Sequence, residues 1–280
     1  MGQMKNRKYH LDRANSKDKK SPTDEYYTKY EEVEDIFENV IYKEDLKDKI
    51  IYCPADGEQS NFVIYLKGHK DDIQYKELIY TSDDMMTHED LFKRADYIIT
   101  NPPFSLLTKD LLPLLKRLKC KFFLFGSLGS QHYYINTFSP NECKYIRRGK
   151  WMFNTPFITE QTGRNECFVS GTCYITNMNV KYTLKECNRM SKGFLTKTID
   201  EIPNVYSLEE GFEYLNIDKM ANYPKDYYEP VWCPITVLQY KYTKYFEYID
   251  PKDSKGRSKL YSFPYSDGKS RYMRVLVKRK

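Results

Sequence analysis

The chain has 280 residues, a formal net charge of +6 and 40% hydrophobic residues, with 27 Tyr and 15 Phe supplying much of its apolar surface. This length suffices for one large α/β domain, or for one domain with an appendage. No stretch is long and apolar enough to span a membrane, and the basic N-terminus lacks the apolar core of a signal peptide. Seven Cys without a Cys-x-x-Cys pair and only four His argue against a metal site or a disulfide framework, so reduced cytoplasmic thiols are expected. The charge suits a nucleic-acid partner without demanding one.

The first twenty residues are basic, with seven Lys and Arg against two Asp and almost no apolar residue. This composition predicts a flexible tail, either solvated or in contact with phosphates. The Ser, Thr and Asp residues of segment 21–28 are typical of a helix start, and an amphipathic helix is predicted from about residue 29 to 40. Capping of this helix is the simplest role for Asp24 and Thr28.

Two predicted strands end in acidic loops. Residues 50–54 form an apolar strand that runs into a polar loop containing Asp56, and a helix follows. This order of elements holds nucleotide-like ligands in doubly wound sheets, and acids there favour hydroxyl or amine groups over phosphates. A second strand, residues 78–81, ends at Asp83 and Asp84, whose carboxylates suit ribose hydroxyls or an adenine amine. A helix cap and a surface turn explain the two loops equally well.

The most distinctive feature is the abrupt end of a third strand. Residues 97–100 are apolar and mostly β-branched or aromatic, as in a buried strand, and Asn101, Pro102, Pro103 and Phe104 follow directly. The prolines end the strand and remove two N–H donors, so backbone carbonyls there stay unpaired. We therefore expect an amide, a free carbonyl and an aromatic ring at the mouth of a sheet, where ligands bind in open α/β folds.

These groups suit the methylation of an exocyclic amine. The N6 amine of adenine is a poor nucleophile because its lone pair is delocalised into the ring. Acceptors aimed at its two N–H bonds, the Asn101 side-chain carbonyl and the Pro102 backbone carbonyl, would pull the nitrogen toward tetrahedral geometry without a titrating base. Phe104 would stack on a base taken out of its helix. The alternative is a strand that ends in a proline turn with a packed Phe.

Strand and helix signals alternate up to residue 126, which predicts a mainly parallel sheet covered by helices. Residues 144–151 then combine basic and aromatic side chains, which suit phosphate contacts with a stacking ring or, alternatively, an amphipathic strand with solvated cations. The candidates for nucleic-acid binding in this segment are Lys144, Arg147, Arg148, Lys150 and Trp151. Further strands are predicted at 167–169, 173–177, 246–249 and 271–277.

Several segments resemble, in order, the EcoRI-type adenine-specific DNA methyltransferases, from about residue 22 to the end. They are Asp-Glu-Tyr-Tyr-Thr at 24–28, Ile-Tyr-Cys at 51–53 with Asp56 and Ser-Asn-Phe at 60–62, the segment 95–106 around Asn101, and stretches at 174–177, 216–219 and 234–238. The loop after the first strand lacks the glycine-rich sequence of most methyltransferases, as this family also does, and the segment between Asp84 and Asp96 is short.

The resemblance implies a site-specific, S-adenosylmethionine-dependent DNA adenine N6-methyltransferase that acts on a flipped adenine in double-stranded DNA. It also implies an α/β, Rossmann-like methyltransferase fold, with a mostly parallel central sheet flanked by helices and an irregular DNA-recognition region. The implied catalytic residues are Asn101, Pro102, Pro103 and Phe104. The implied cofactor-binding residues are Asp24, Tyr27, Thr28, Cys53, Pro54, Ala55, Asp56, Ser60, Asn61, Phe62, Asp83, Asp84 and Asn101, with the choice between Asp83 and Asp84 for the adenosine left open.

The expected organisation is a basic tail (1–20), a methyltransferase core (21–126), a target-recognition region interleaved with the core (127–230) and C-terminal strands with a basic tail (231–280). We expect a monomer in the cytoplasm of a bacterial host cell, with no membrane and no metal partner. A cognate restriction endonuclease acting on the same site is a candidate partner. Two alternatives stay open: a catalytically inactive DNA-binding protein of the phage anti-restriction type, and the same chemistry on RNA adenine or on cytosine N4, although Asn before Pro-Pro favours adenine.

Overall fold

The structure is a computed structural model that describes residues 26–159, 161–181, 190, 192–202, 214–249, 261–264 and 270–280, with residues 148–150, 170, 261–264 and 270–273 described by their backbone alone. The predicted basic tail and Asp24 lie outside the described residues. In the part of the chain that is described, no helix is long and apolar enough to cross a membrane.

Strands and helices alternate through the first half of the chain. The strands are β1 (Tyr27–Thr28), β2 (Ile50–Pro54), β3 (Glu77–Thr81), β4 (Tyr97–Thr100), β5 (Lys121–Ser127), β6 (Lys144–Asn154), β7 (Glu166–Thr176), β8 (Leu215–Asn216), β9 (Val231–Pro234), β10 (Phe246–Ile249), β11 (Tyr261–Pro264) and β12 (Ser270–Arg279). The helices are α1 (Tyr30–Asn39), α2 (Asn61–Gly68), α3 (Lys70–Ile73), α4 (Glu89–Arg94), α5 (Phe104–Leu106), α6 (Leu112–Leu118), α7 (Gln131–Thr137) and α8 (Tyr240–Thr243). A π-helical turn, Leu107–Leu111, joins α5 to α6.

A seven-stranded sheet in the order β1-β6-β7-β5-β4-β2-β3 forms the centre of the molecule. Strands β3, β2, β4 and β5 are parallel to one another, whereas β7 runs antiparallel to β5 and pairs with β6 as a long hairpin. The fold is therefore α/β and Rossmann-like, as expected. Because parallel strands all end at the same edge, the segments that follow β2, β3, β4 and β5 meet there.

The sheet is buried on both sides. One face packs against α1 and α2 through Val33, Phe37 and Tyr65, while the other packs against α4 to α7 through residues such as Phe92 and Leu115. All four residues of β4 are buried, which explains its continuous apolar sequence. Pro113 lies in the first turn of α6, after the π-helical turn, where its missing N–H costs least.

The C-terminal strands form a second sheet in the order β10-β12-β9-β8, with β11 paired to β12. Val231, Cys233, Val275 and Val277 of this sheet belong to the same apolar cluster as Leu115. The predicted strands at 246–249 and 271–277 are thus confirmed, and the C-terminal strands cover the helical layer on one face of the central sheet.

Candidate active site

Asn101 is the first residue after β4, at the edge where the parallel strands end. Its side-chain Nδ2 donates a hydrogen bond of 2.7 Å to the backbone carbonyl of Tyr26. A carbonyl oxygen is only an acceptor, so this contact fixes which end of the amide faces Tyr26. Within the described residues the Asn101 Oδ1 forms no hydrogen bond, and the amide presents this oxygen as a held, unused acceptor.

The two prolines keep a second acceptor beside Asn101. Pro102 is buried, and no backbone N–H of the described residues donates to its carbonyl, while the Pro103 carbonyl accepts from Leu106 N at 3.1 Å as α5 begins. The break predicted from Asn-Pro-Pro is therefore confirmed as a strand-to-helix turn. It leaves the Pro102 carbonyl available for a ligand at the sheet edge.

The aromatic ring of the motif is half-buried. Phe104 opens α5, and its ring stacks on Tyr26 with centroids 6.3 Å apart and planes 29° apart. Tyr26 in turn meets Phe153 edge-on at 5.9 Å. Tyr26 therefore contacts both functional side chains of the motif, Asn101 through its carbonyl and Phe104 through its ring.

A second asparagine holds the same N-terminal segment. The Asn61 Nδ2 at the start of α2 donates to the Thr28 carbonyl at 2.7 Å, and β1 pairs with the far end of β6. Thr28 is only 5% exposed, and within the described residues its Oγ1 has no hydrogen-bond partner. Since buried hydroxyls normally have partners, this orphaned oxygen indicates a place where a ligand completes the hydrogen bonding.

Thr100, the last residue of β4, connects Asn101 to the loop after β2. Its Oγ1 lies 2.6 Å from both the Pro54 carbonyl and Asp56 Oδ2, and Ser60 Oγ donates to Asp56 Oδ1 at 2.5 Å. The Thr100 hydroxyl has one proton, and an ionised carboxylate has none to donate. The hydroxyl can share its proton between these two acceptors, or donate it to the Pro54 carbonyl while a protonated Asp56 Oδ2 donates to Thr100.

The burial of Asp56 disfavours its ionised form. Removal from water raises the pKa of this carboxyl to about 6, against the lowering effects of the Ser60 and Thr100 hydrogen bonds. Asp56 is therefore a buried acid that ionises above about pH 6 at a cost in stability, and a bound cation would stabilise its ionised form. It lies at the carboxyl end of β2, one strand from Asn101.

The full length of the chain matches one known protein family. Residues 11–89 and 81–280 match the family described as adenine-specific methyltransferase EcoRI. The chain belongs to this family. The protein is a methyltransferase, and the resemblance derived from Asn101 and its neighbouring segments is confirmed.

Individual relatives align with the chain over nearly their whole length. The Type II methyltransferase M.EcoRI of Escherichia coli is 26% identical, covering 94% of this chain and 95% of that protein. The Type II methyltransferases M.MgeORF184P of Mycoplasma genitalium and M.MpnI of Mycoplasma pneumoniae are each 22% identical, covering 97% and 94% of this chain and 99% and 97% of those proteins. A solved precorrin-6y C5,15-methyltransferase of Geobacter metallireducens, 10% identical over 48% of this chain and 80% of its own, has a TM-score of 0.28, too low to bear on the fold.

S-adenosylmethionine, the methyl donor that this family implies, fits the groups around Asp56. The donor carries an ammonium group and a sulfonium, and Asp56 is a buried carboxyl whose ionised form a cation would stabilise. Thr28 offers an unused hydroxyl. A Cβ added at Gly57 would lie 3.2 Å from Ser82 Cβ, so the loops after β2 and β3 already approach closely and a larger side chain there would crowd the pocket.

The remaining residues predicted for the donor site divide into two groups. Ala55 has a positive φ of 62°, which turns the chain sharply after Pro54, and the Ser60 side chain caps α2 by accepting from Phe62 N. Cys53 and Phe62, in contrast, are core residues, and Phe62 packs edge-on against Phe125. Their side chains belong to the apolar cluster under α2, so only their main-chain atoms are available to a donor.

Asp83 and Asp84 are both exposed and both partly engaged. Asp83 Oδ2 lies 2.8 Å from His88 Nε2, and this hydrogen bond lowers the pKa of the carboxyl. Asp84 Oδ1 accepts from Met86 N at 3.0 Å and caps the short turn that follows β3. Tyr27, also predicted for the donor site, is 52% exposed on β1. Each acid keeps one carboxylate oxygen outside these contacts.

Two of the predicted DNA-binding residues lie elsewhere than expected. Trp151 is 3% exposed and packs against Phe125, Phe153 and Tyr174, so its ring is part of the core and not a stacking surface. Lys144 is half-buried and donates from Nζ to the Met178 carbonyl at 2.7 Å. It starts β6 at the amino edge of the parallel strands, opposite the edge that holds Asn101.

The other basic candidates remain on the hairpin. Arg147 is exposed in the middle of β6, while Arg148 and Lys150 lie in the same strand with their side chains outside the description. Among the described residues no group of three or more His, Cys, Asp or Glu side chains is placed to hold a metal ion.

Sequence reasoning missed two residues of the site. Thr100 is a polar residue at the end of an apolar strand, directly before Asn101, and that position was a usable signal for a hydroxyl facing the neighbouring loop. Tyr26 gave no such signal because its contact with Asn101 is made by a backbone carbonyl, which every residue has.

Proposed function

We propose that the protein is a DNA methyltransferase that transfers the methyl group of S-adenosylmethionine to the N6 amine of an adenine extruded from double-stranded DNA. The observation that carries the proposal is the held amide of Asn101. Tyr26 occupies its donor end, and its acceptor end is left beside the buried carbonyl of Pro102. The membership in the adenine-specific family supports the choice of base.

Asn101 and Pro102 activate the amine by accepting one hydrogen bond from each of its two N–H groups. An exocyclic amine bonded to two acceptors has its lone pair drawn out of conjugation, and the nitrogen becomes the nucleophile. When bound, S-adenosylmethionine would supply the methyl group from a positively charged sulfur, which would leave as a neutral thioether while the methylated nitrogen releases one proton to solvent. The two acceptors are preorganised by β4 and by Tyr26, so little reorganisation accompanies the reaction.

Thr100 and Asp56 link the two halves of the pocket. The Thr100 hydroxyl holds the loop after β2 to the strand that carries Asn101. Asp56 would hold the ammonium end of the donor, whose charge would stabilise the ionised carboxylate. Thr28 would donate or accept one further hydrogen bond from the side of β1. Asn101 thus follows directly from the strand against which the donor loop is anchored.

Phe104 would stack on the extruded adenine. Its ring is half-buried and already has Tyr26 on one side, so a base can lie against the other side and be held between the ring and the acceptors. Stacking of this kind contributes about 1–3 kcal/mol per base. The curated relatives are proteins of bacteria, and we place the reaction on DNA in the cytoplasm of a bacterial cell. Pairing with a restriction endonuclease of the same specificity belongs to this proposal.

The test is transfer of labelled methyl from S-adenosylmethionine to unmethylated double-stranded DNA, with RNA alongside, followed by nucleoside analysis. The proposal predicts label in N6-methyladenine of DNA. Label confined to RNA would change the substrate but keep the catalytic residues, and label in N4-methylcytosine would change the base. Donor binding without transfer to either nucleic acid would favour an inactive binding protein with the same fold.

A further inference from the structure

The β6–β7 hairpin bends where it leaves the central sheet. We call strands β6 and β7 with the described residues between them (155–159 and 161–165) the ribbon, and those connecting residues its tip. The pairing register shifts around Gly149, and Gly171 opposite has no partner in the ladder and a positive φ of 76°. Bulges of this kind bend and twist a strand pair.

The bend carries the outer half of the ribbon to the candidate active site. Phe153, near the outer end of β6, lies 6.1 Å from Phe125 and 5.9 Å from Tyr26, and Tyr26 touches Phe104. Tyr27 pairs with Asn154, the last residue of β6, while the Tyr26 carbonyl bonds Asn101. The tip therefore begins directly after a strand whose last residue pairs with Tyr27, the neighbour of the residue that holds Asn101.

The tip is held in one conformation by its own side chains. Gln161 makes two hydrogen bonds to the backbone of Phe168, accepting from its N at 2.5 Å and donating to its carbonyl at 3.3 Å. Thr162 Oγ1 donates to the Glu166 carbonyl at 2.8 Å, and Thr159 N donates to the Arg164 carbonyl at 2.9 Å. A loop tied down in this way keeps its exposed side chains preorganised for a partner.

The side chains that the tip exposes have the chemistry of base recognition. Arg164 and Asn165 are exposed and adjacent, and Ile158 is 71% exposed, the highest value among the large hydrophobic side chains of the described residues. Arg forms paired hydrogen bonds with guanine and Asn with adenine in the major groove, which admits a two-stranded ribbon. An apolar side chain contacts thymine methyl groups or wedges between bases.

We propose that the ribbon tip reads the base pairs next to the target adenine, with Arg164 and Asn165 as specificity-determining residues and Ile158 as an apolar contact to the bases. The inference rests on the proposed function and deepens it. The occupant is duplex DNA, because the tip adjoins the pocket that receives the extruded base. Glu166, the acid next to the tip, is already paired with Lys29 and does not repel the phosphates unscreened.

The test begins with the full chain in cells that lack adenine methylation, where sequencing that detects modified bases gives the methylated site. Initial rates are then measured on a duplex with that site and on duplexes that each carry one changed base pair. Arg164→Gln and Asn165→Ala are expected to lower the rate on the intact site about tenfold and to lose discrimination at one or two pairs beside the adenine. Arg94→Gln removes one exposed arginine at the opposite edge of the sheet and should match the wild type.

Ile158→Ala is compared with Ile64→Ala, a second exposed isoleucine on the outer side of α2. Only Ile158→Ala should reduce the fluorescence rise of a 2-aminopurine placed at the target position. Competition binding with the same duplexes measures the sequence preference of the tip without requiring methyl transfer. A wild type that transfers nothing would contradict the proposed function. Its preferred site would then be found by selecting duplexes that bind the full chain, and the tip variants would still have to lose that preference.

Retention of full discrimination by both Arg164→Gln and Asn165→Ala, in a wild-type background that methylates one site, would overturn the inference while leaving the proposed function standing. A dimer in sedimentation that Ile158→Ala converts to monomers would assign the surface to a second copy of the chain and would overturn it as well.

Discussion

The two halves of the central sheet are built differently. Strands β2 to β5 are short, parallel and tied together by helices, and they bring Asp56, Thr100 and Asn101 to one edge. Strands β6 and β7 are eleven residues each, antiparallel, bent at Gly171 and exposed at their outer end. The first half fixes a few atoms within hydrogen-bond distance of one another, and the second half extends a rigid loop past them. The two proposals thus assign chemistry and recognition to different parts of one sheet.

Removing the Asn101 amide should have the largest effect. Asn101→Ala deletes the Oδ1 acceptor and the Nδ2 contact with Tyr26, and kcat is expected to fall by about 10²–10³-fold, as for the loss of a preorganised polar group in other enzymes. Donor affinity should stay within a small factor because Asp56 and Thr28 are untouched. Single-turnover methyl transfer and calorimetric titration of the donor measure the two effects. A variant that retains near-normal turnover would remove the acceptor role from the account.

Asp56→Asn should make the protein more stable at neutral pH while weakening donor binding. The folded pKa of Asp56 is raised to about 6 from the ordinary 3.8, so its contribution to folding is complete below 3.8, is lost as pH rises toward 6, and remains lost above. An amide can donate to Thr100 and accept from Ser60 at every pH. The difference in unfolding free energy should be smallest near pH 4 and reach about 3 kcal/mol above pH 6.

Urea unfolding of both proteins at pH 4 and pH 8 checks this. The matched control is Asp83→Asn, because Asp83 is exposed and its pKa is lowered by His88, so its amide should bring no gain as pH rises. Equal stability of wild type and Asp56→Asn at pH 8 would show that the buried carboxyl is not strained by ionisation.

Phe104→Ala should weaken the binding of the extruded base. The expected loss is about 1–3 kcal/mol in binding of a duplex with a mispaired target, where extrusion itself costs little. The ring also covers Tyr26, so the donor should be titrated in parallel to confirm that the pocket keeps its shape. Unchanged affinity for the mispaired duplex would mean that Phe104 is a packing residue.

The smallest effect is expected from breaking the ion pair that connects the segment beside β1 to the ribbon. Lys29 beside β1 pairs with Glu166 at the start of β7, and each side chain is about a quarter exposed. Lys29→Glu should lower turnover by a few-fold, since such pairs contribute up to about 1 kcal/mol, and the double variant Lys29→Glu with Glu166→Lys should recover it. Lys93→Glu, which breaks an exposed pair with Glu89 on α4, serves as control. If the double variant did not recover turnover, the ion pair between Lys29 and Glu166 would have no role in the activity of the site.

The parallel half of the sheet was predictable because its signals are local. Buried parallel strands have continuous apolar sequences, and the prolines after Asn101 mark the strand end by removing hydrogen-bond donors. Strands β2, β3 and β4 were each placed within about a residue, and the carboxyl-edge position of Asn101 and Asp56 followed from the parallel arrangement of these strands.

The ribbon was less predictable because the fate of its side chains depends on distant residues. An alternating basic and aromatic sequence indicates that the two faces of a strand differ, but it does not show which face is buried. In β6, Phe125 and Tyr174 pack against the face that carries Trp151. Lys144 lies at the amino edge, where its ammonium group donates to the carbonyl of Met178, 34 residues away in the sequence. The role of Tyr27 and Thr28 in the donor site was suggested by the resemblance alone. The contact between the Tyr26 carbonyl and Asn101 had no signal in the sequence, because every residue has a backbone carbonyl.

The most direct test of the account is a crystal structure of the protein with an unreactive donor analogue and a duplex containing its site. The account predicts the adenine outside the helix, with N6 about 3 Å from both Asn101 Oδ1 and the Pro102 carbonyl, while Nδ2 keeps its bond to Tyr26. An adenine that remains stacked in the duplex, or an N6 amine bonded to other groups, would contradict it.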